Sequence, residues 1–231
     1  MGRKKKLYTE RELTAVRAKR ALREYVAAHG YKKLTATVLA DLLGVSLSTI
    51  TRLAIGGLAG VVKETIKESD CWPPFFEKFK LPAYAKAWKK MMMFIQMMQA
   101  FFDSFFMSED MQHAILGQIS VESEVLREIS EARERQGAEL LAIADGHFKG
   151  SGVSFRAVMA LLLGGIYYLV LHAKYNKSTV CGIDINKQAD YLEVKDTIAY
   201  LIELVWQDGG KKRKRWEKRQ QPGNEGFASA A

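Results

Sequence analysis

A chain of 231 residues can bury a sizeable core without a disulfide or metal staple. Hydrophobic residues at 48% and charged residues at 26% exclude wholesale disorder, a collagen-like chain and low complexity, and two cysteines, Cys71 and Cys181, exclude a disulfide framework. The net charge of +9 is uneven: residues 1–6 carry +4, 7–63 carry +5, 64–210 carry −5 and 211–219 carry +6. Basic ends on an acidic body suit a polyanion such as DNA, or an anionic membrane surface.

In chain order, Thr9-Glu10-Arg11-Glu12 is a capping box that opens a first helix. Ala15, Ala18, Leu22, Tyr25 or Val26, and His29 recur along it at helical spacing, and Gly30 ends it. Thr35 is placed to cap a short second helix with Val38, Leu39, Leu42 and Leu43 inward, stopped by Gly44. Ser46 is placed to cap a third, from about Leu47 to Ala54, and a fourth follows Gly56, Gly57 and Gly60 as far as Ser69. Trp72-Pro73-Pro74 predicts an exposed break. A long helix is expected from Pro82 to Phe106, then a short one after Ser108, a charged amphipathic one from Ser120 to Ala144, and one from Ser154 to Tyr175. Gly146, Gly150 and Gly152 read as loop, and so does Asn176 to Ile185. The last helix is expected over Asp190 to Trp206, and Gly209-Gly210 then releases a disordered basic tail.

The N-terminus lacks an apolar stretch after its positive charges, so no secretory signal is read there. The longest uncharged run, 157–173, is at the lower limit for a membrane span and reads better as a core or dimer helix. The expected compartment is the cytoplasm.

Residues 36–55 fit a helix-turn-helix spacing. Ala40 is the small residue at the helix contact, Gly44 supplies positive φ in the turn, and Val45, Ile50 and Leu53 pin the second helix onto Leu39 and Leu43. An unrelated αα-corner would need the turn glycine for the same steric reason.

The stretch from Ala21 to Arg52 resembles the N-terminal DNA-binding domain of the TetR family of bacterial transcriptional regulators. The residues that carry the likeness are Gly30-Tyr31, Thr35, Leu39-Ala40, Gly44-Val45-Ser46, Thr49-Ile50 and Arg52. They cover about a quarter of the chain. The resemblance implies an all-α protein: a three-helix DNA-binding domain over 1–63, a larger helical ligand-binding and dimerisation domain over 64–208, and a basic tail over 209–231. It implies a regulator, most often a repressor, that leaves a near-palindromic operator when a small molecule binds. The DNA contacts expected are Arg3, Lys4, Lys5, Lys32, Lys33, Thr35, Ser46, Ser48, Thr49, Thr51 and Arg52. Serine and threonine carry little base information, whereas Arg52 could read guanine with two hydrogen bonds or pair with a carboxylate.

Two positions depart from the family pattern, both at phosphate contacts. Thr51 stands where a tyrosine is usual and Gly57 where a lysine is usual. Ala54 replaces an aromatic residue. The lysines of the arm and Lys32-Lys33 are expected to compensate, although a merely solvated basic face would read the same.

Seven of the nine methionines fall between Met91 and Met111, among Phe94, Phe101, Phe102, Phe105 and Phe106. A Met/Phe-rich helix can line an adaptable apolar pocket or form the centre of a bundle. With the resemblance, the expected ligand site is Met97, Met98, Phe101, Phe105, Tyr167 and His172. Gly164-Gly165 and the stripe Ile198, Leu201, Ile202 and Val205 mark the two helices expected to form a homodimer. The four histidines show no ligand spacing, and no nucleophile elbow, Walker loop or dinucleotide fingerprint is present. No enzyme activity, metal or cofactor is expected, and no membrane partner. A helical interaction protein with a degenerate helix-turn-helix is the alternative.

Overall fold

The structure, a computed structural model, describes residues 10–82 and 84–221. Among these residues the protein is all-α, with no β-sheet. In order the helices are α1 (Glu10–His29), α2 (Ala36–Leu43), α3 (Leu47–Leu53), α4 (Leu58–Ser69), α5 (Trp72–Lys78), α6 (Ala87–Met107), α7 (Glu109–Ser120), α8 (Glu124–Phe148), α9 (Phe155–Leu171) and α10 (Gln188–Arg219). A π-helical turn, His172–Asn176, follows α9, and an isolated bridge joins Val180 to Ile183. The capping box at Thr9 and the arm residues Arg3, Lys4 and Lys5 lie outside the described residues.

The chain forms two units. Among the described residues, the first runs to Cys71 and takes in Met107–Arg133; the second holds Trp72–Phe106 and the residues from Glu134. These bounds differ from a division at residue 63, because α4, α7 and the start of α8 share one core with α1–α3. That core holds Ala18, Leu22 and Val26 of α1, Leu39, Ala40 and Leu43 of α2, Ile50 and Leu53 of α3, and Val61, Val62 and Ile66 of α4. Ala114 of α7 and Leu126 of α8 complete it. Full burial of a Leu or Ile side chain contributes about 1.5–3 kcal/mol, so Leu39 and Ile50 anchor α2 and α3 strongly. Leu42, expected inward, is exposed, as is His29 at the end of the spaced residues of α1: each shares its helix with residues that fill the inner face.

Local chemistry sets the helix ends. Thr35 Oγ1 accepts from the Val38 amide at 3.2 Å, Ser46 Oγ from Thr49 at 3.3 Å, Ser108 Oγ from Met111 at 3.3 Å and Ser154 Oγ from Ala157 at 3.3 Å. Each satisfies an amide that the first turn leaves without a carbonyl. Tyr31, just past the end of α1, lies on Gly117 of α7, where any Cβ would stand 2.5 Å from the ring. Burial pushes the Tyr31 phenol up to about 12. Arg133 of α8 donates to Asp70 Oδ2 at 2.8 Å and to Gln118 Oε1 at 3.2 Å, with both charged side chains almost fully buried.

In the second unit Trp72 is buried, stacked on Phe76 at 5.5 Å and Phe101 at 4.4 Å. The expected break at Trp72-Pro73-Pro74 is instead the first turn of α5, where a missing proline N–H costs no hydrogen bond. Phe94, His147, Phe148 and Phe155 surround Trp206 at 4.4–6.0 Å.

The largest departure from the expected elements is α10. It runs through Gly209-Gly210 to Arg219, so residues 209–219 are helix rather than disordered tail. Gly209 is buried, and a Cβ on it would stand 2.3 Å from the Phe148 ring; one on Gly210 would meet His147 at 3.0 Å. The pair is a packing slot, not a terminator. Lys212–Asp208 and Arg213–Glu217 are i,i+4 ion pairs along the extension. Gly146 likewise sits inside α8, not in a loop.

Candidate functional site

The α2–turn–α3 segment is the first candidate surface. The chain bends by 104° between the two helices. Gly44 makes the turn at φ 64°, ψ 36°, a left-handed conformation in which a Cβ is disfavoured. The Val45 amide donates to the Ala40 carbonyl at 3.0 Å, closing the end of α2. Leu39, Ala40 and Leu43 face Ile50 and Leu53 across the turn, and Val45 packs against the same core.

Opposite that contact, α3 presents Leu47, Ser48, Thr51 and Arg52, all exposed, with Thr49 half-buried. The polar groups are held locally. Ser46 Oγ lies 2.9 Å from both Ser48 Oγ and Thr49 Oγ1. Thr51 Oγ1 donates to the Leu47 carbonyl at 3.1 Å, and Arg52 Nε to the Ser48 carbonyl at 3.1 Å. Lys32 and Lys33 are exposed between α1 and α2, and Thr35 is committed to its cap. So Ser46, Ser48, Thr49, Thr51 and Arg52 come together on one short helix, with Thr35, Lys32 and Lys33 on the segment leading into α2.

Two of the residues singled out in the sequence, Ala54 and Gly57, have a local cause. Gly57 precedes α4 at φ 59°, ψ −127°, which is glycine territory. Gly60 lies against the 54–55 turn, where a Cβ would stand 2.2 Å from the Ile55 carbonyl oxygen and 3.0 Å from the Ala54 Cβ. The close approach of α4 to the end of α3 thus favours a small residue at 54 and glycine at 60, while the backbone conformation favours glycine at 57.

The α6 residues form the second candidate. Phe101 and Phe105 are fully buried and stacked at 5.7 Å, and Tyr167 of α9 meets them edge-on at 5.6 and 5.0 Å. Met97 and Met98 are buried on the same helix. His172 is engaged elsewhere, with Asn176 Nδ2 at 2.9 Å from its Nδ1 and the Tyr168 ring stacked at 5.3 Å. In the first unit, Leu22, Arg23, Val26, Tyr31, Thr65, Ile66, Ser69, Asp110 and His113 line a cleft with room for one water molecule.

A third candidate is the outer face of α9 and α10. Leu161, Gly164, Gly165 and Tyr168 of α9 are exposed, as are Leu192, Tyr200 and Leu204 of α10. The stripe expected to face a second chain is partly used within this one, since Ile198 and Ile202 are buried and Leu201 and Val205 half-buried. One helix among the described residues, Phe155–Asn176, is long and apolar enough to cross a membrane, with 22% of its apolar window buried. Among the described residues no group of histidine, cysteine, aspartate and glutamate is arranged to hold a metal ion. The chain matches no family model, no curated protein and no solved structure.

Proposed function

We propose that the protein is a DNA-binding transcriptional regulator of the TetR type, a cytoplasmic repressor released from its operator by a small apolar molecule. The observation that carries this reading is the 104° turn between α2 and α3, made by a left-handed glycine and pinned by Ala40, Ile50 and Leu53. Two short helices so joined fit a helix-turn-helix, whose second helix would lie in the major groove. Lys32 and Lys33 bring phosphate affinity through counterion release. The Ser46, Ser48, Thr49 and Thr51 hydroxyls can rotate from their present partners towards phosphate oxygens. Arg52, on the exposed side of α3, can offer two donors to guanine.

The exposed apolar residues of α9 and α10 support a two-fold homodimer, and such a dimer reads a near-palindromic site. The Phe101, Phe105 and Tyr167 group, with Met97 and Met98, supports an apolar ligand site in the second unit. Release requires the ligand to bind two conformations unequally, with a coupling of about 1–3 kcal/mol.

The test is selection of bound fragments from the native genome by the purified protein, followed by mobility shift on the recovered fragments. Arg52→Ala and Thr49→Ala should each weaken the shift, and rising salt should abolish it. Failure to retain any fragment at low salt overturns the reading.

One observation favours a second reading. The backbone at Gly57 disfavours the lysine that is a usual phosphate anchor, and the crowding at Ala54 disfavours the usual aromatic. A helical interaction protein that has kept the helix-turn-helix as a scaffold would show that geometry. It would retain protein partners, not DNA, in the same selection.

A further inference from the structure

The most densely charged feature outside the α2–α3 surface is the end of α10, where Lys211–Arg219 hold seven basic residues and one acidic one. This segment is not loose. The Trp216 ring lies over Gly150, so close that a Cβ there would stand 2.1 Å from it. Arg213 Nη1 donates to the Gly146 carbonyl at 3.1 Å, and Gly209 is seated against Phe148 one turn earlier. With Arg213 and Trp216 turned inward, helical periodicity directs Lys211, Lys214, Arg215 and Lys218 outward, and all four are exposed. Lys212 and Arg213 offset Asp208 and Glu217 within the helix. Among the described residues, no ion pair engages the outward four. Lys149, exposed beside Gly150, adds to the same end of the unit. From 211 to 218 the stripe is about 10 Å long.

We propose that this stripe is a second DNA-binding surface, one that grips the phosphate backbone of duplex DNA without reading sequence. Duplex DNA carries one negative charge per about 1.7 Å of axis, a density that a straight cationic stripe can meet along its whole length. The helix is already formed and docked, so little ordering opposes binding. A solubilising tail has no need of a seated tryptophan or of two glycines that admit aromatic rings. A lipid surface suits the segment poorly. An interfacial helix needs an apolar face to sink, yet 207–215 contains no apolar side chain and Trp216 is turned onto the protein. Lysine and arginine contacts of this kind fix position and raise affinity but discriminate no bases. The inference stands apart from the α2–α3 reading, and a different set of residues tests it.

The experiment uses the full chain and a random-sequence duplex of about 30 base pairs, with binding followed by fluorescence anisotropy over about 50–300 mM potassium chloride. The variant is K211Q/K214Q/R215Q/K218Q, chosen because glutamine matches lysine and arginine in helix propensity. Affinity should fall at least about tenfold near 0.1 M salt, and the plot of log K against log salt should flatten by up to about 3.6, or 0.9 for each phosphate that is no longer neutralised. Arg52→Ala is measured in parallel; its effect bears on the operator-reading proposal alone. If the fourfold variant melts early, K214Q/K218Q replaces it, with half the flattening expected. Affinity and slope equal to those of the unaltered protein would overturn the inference. So would unchanged duplex binding accompanied by lost binding to phosphatidylserine-containing vesicles.

Discussion

A Cβ placed on Gly57 would stand 3.4 Å from the Cα of Thr51. That is ordinary contact, so what reserves position 57 for glycine is its backbone, at φ 59°, ψ −127°, a conformation that side chains disfavour. Placing a lysine there should not create a phosphate anchor. Gly57→Lys is expected to destabilise the fold by about 1–3 kcal/mol, the cost of a strained backbone conformation. Urea unfolding measures this, and a lysine variant as stable as the parent would show that the turn can relax.

Gly209→Ala reverses an ordinary expectation. In an exposed helix the change stabilises by about 1 kcal/mol. Here the new methyl would enter the Phe148 ring, and overpacking should cost about 1–3 kcal/mol instead. The sign of the shift in thermal midpoint decides whether α10 is docked at this point.

Gly165 offers the opposite case. It is exposed, and nothing within the chain lies within 4 Å of a Cβ there. Gly165→Phe should leave an isolated chain folded, while a second chain packed on α9 would be pushed away. Sedimentation at micromolar concentration should show a dimer for the parent and a monomer for the variant. A parent that sediments as a monomer removes the homodimer from the proposal.

Arg133 and Asp70 form a buried ion pair in the first unit. Arg133→Met should destabilise by about 3–5 kcal/mol, because the Asp70 carboxylate loses its guanidinium while remaining buried. Adding Asp70→Asn should recover part of that loss, and the double-mutant cycle from urea unfolding gives the coupling.

Burial holds the His113 and His147 imidazoles below their ordinary 6.5; for His147, Arg213 and Lys90 push the same way against the Trp206 carbonyl. A histidine depressed in the folded state is protonated first in the unfolded chain. Its contribution is complete above about 6.5 and is lost as pH falls below that value. Glu68, held low mainly by its hydrogen bond from Lys19, adds a loss only below its ordinary 4.5. The urea midpoint should therefore fall between about pH 7.5 and 5. His147→Gln should shrink that fall, and an unchanged pH dependence would contradict the assignment.

Much of this was legible in the sequence where the cause is local. Thr35, Ser46, Ser108 and Ser154 cap the helices their spacing marks, and Gly30 and Gly44 adopt the positive φ their places demand. The illegible parts depend on residues distant in the chain. Gly209-Gly210 looks like an ending until Phe148 and His147 are seen against it. Trp72 looks exposed until Phe101 is stacked on it. Nothing near Tyr31 announces that Gly117 receives its ring, and so the membership of α7 in the first unit was hidden. On the candidate surface the sequence marked Ser48, Thr51 and Arg52, which are exposed, but not that Thr49 is half-buried or that the hydroxyls of Ser46, Ser48 and Thr49 hold one another.

The docking of α10 also bears on proteolysis. Trypsin cleaves after lysine and arginine but needs several residues of extended chain in its cleft. A loose tail carrying seven basic residues between 211 and 219 would be clipped at once. As a helix with Trp216 seated on Gly150, the same segment presents its cleavage sites only when that turn opens, so the rate of clipping reports how often it does.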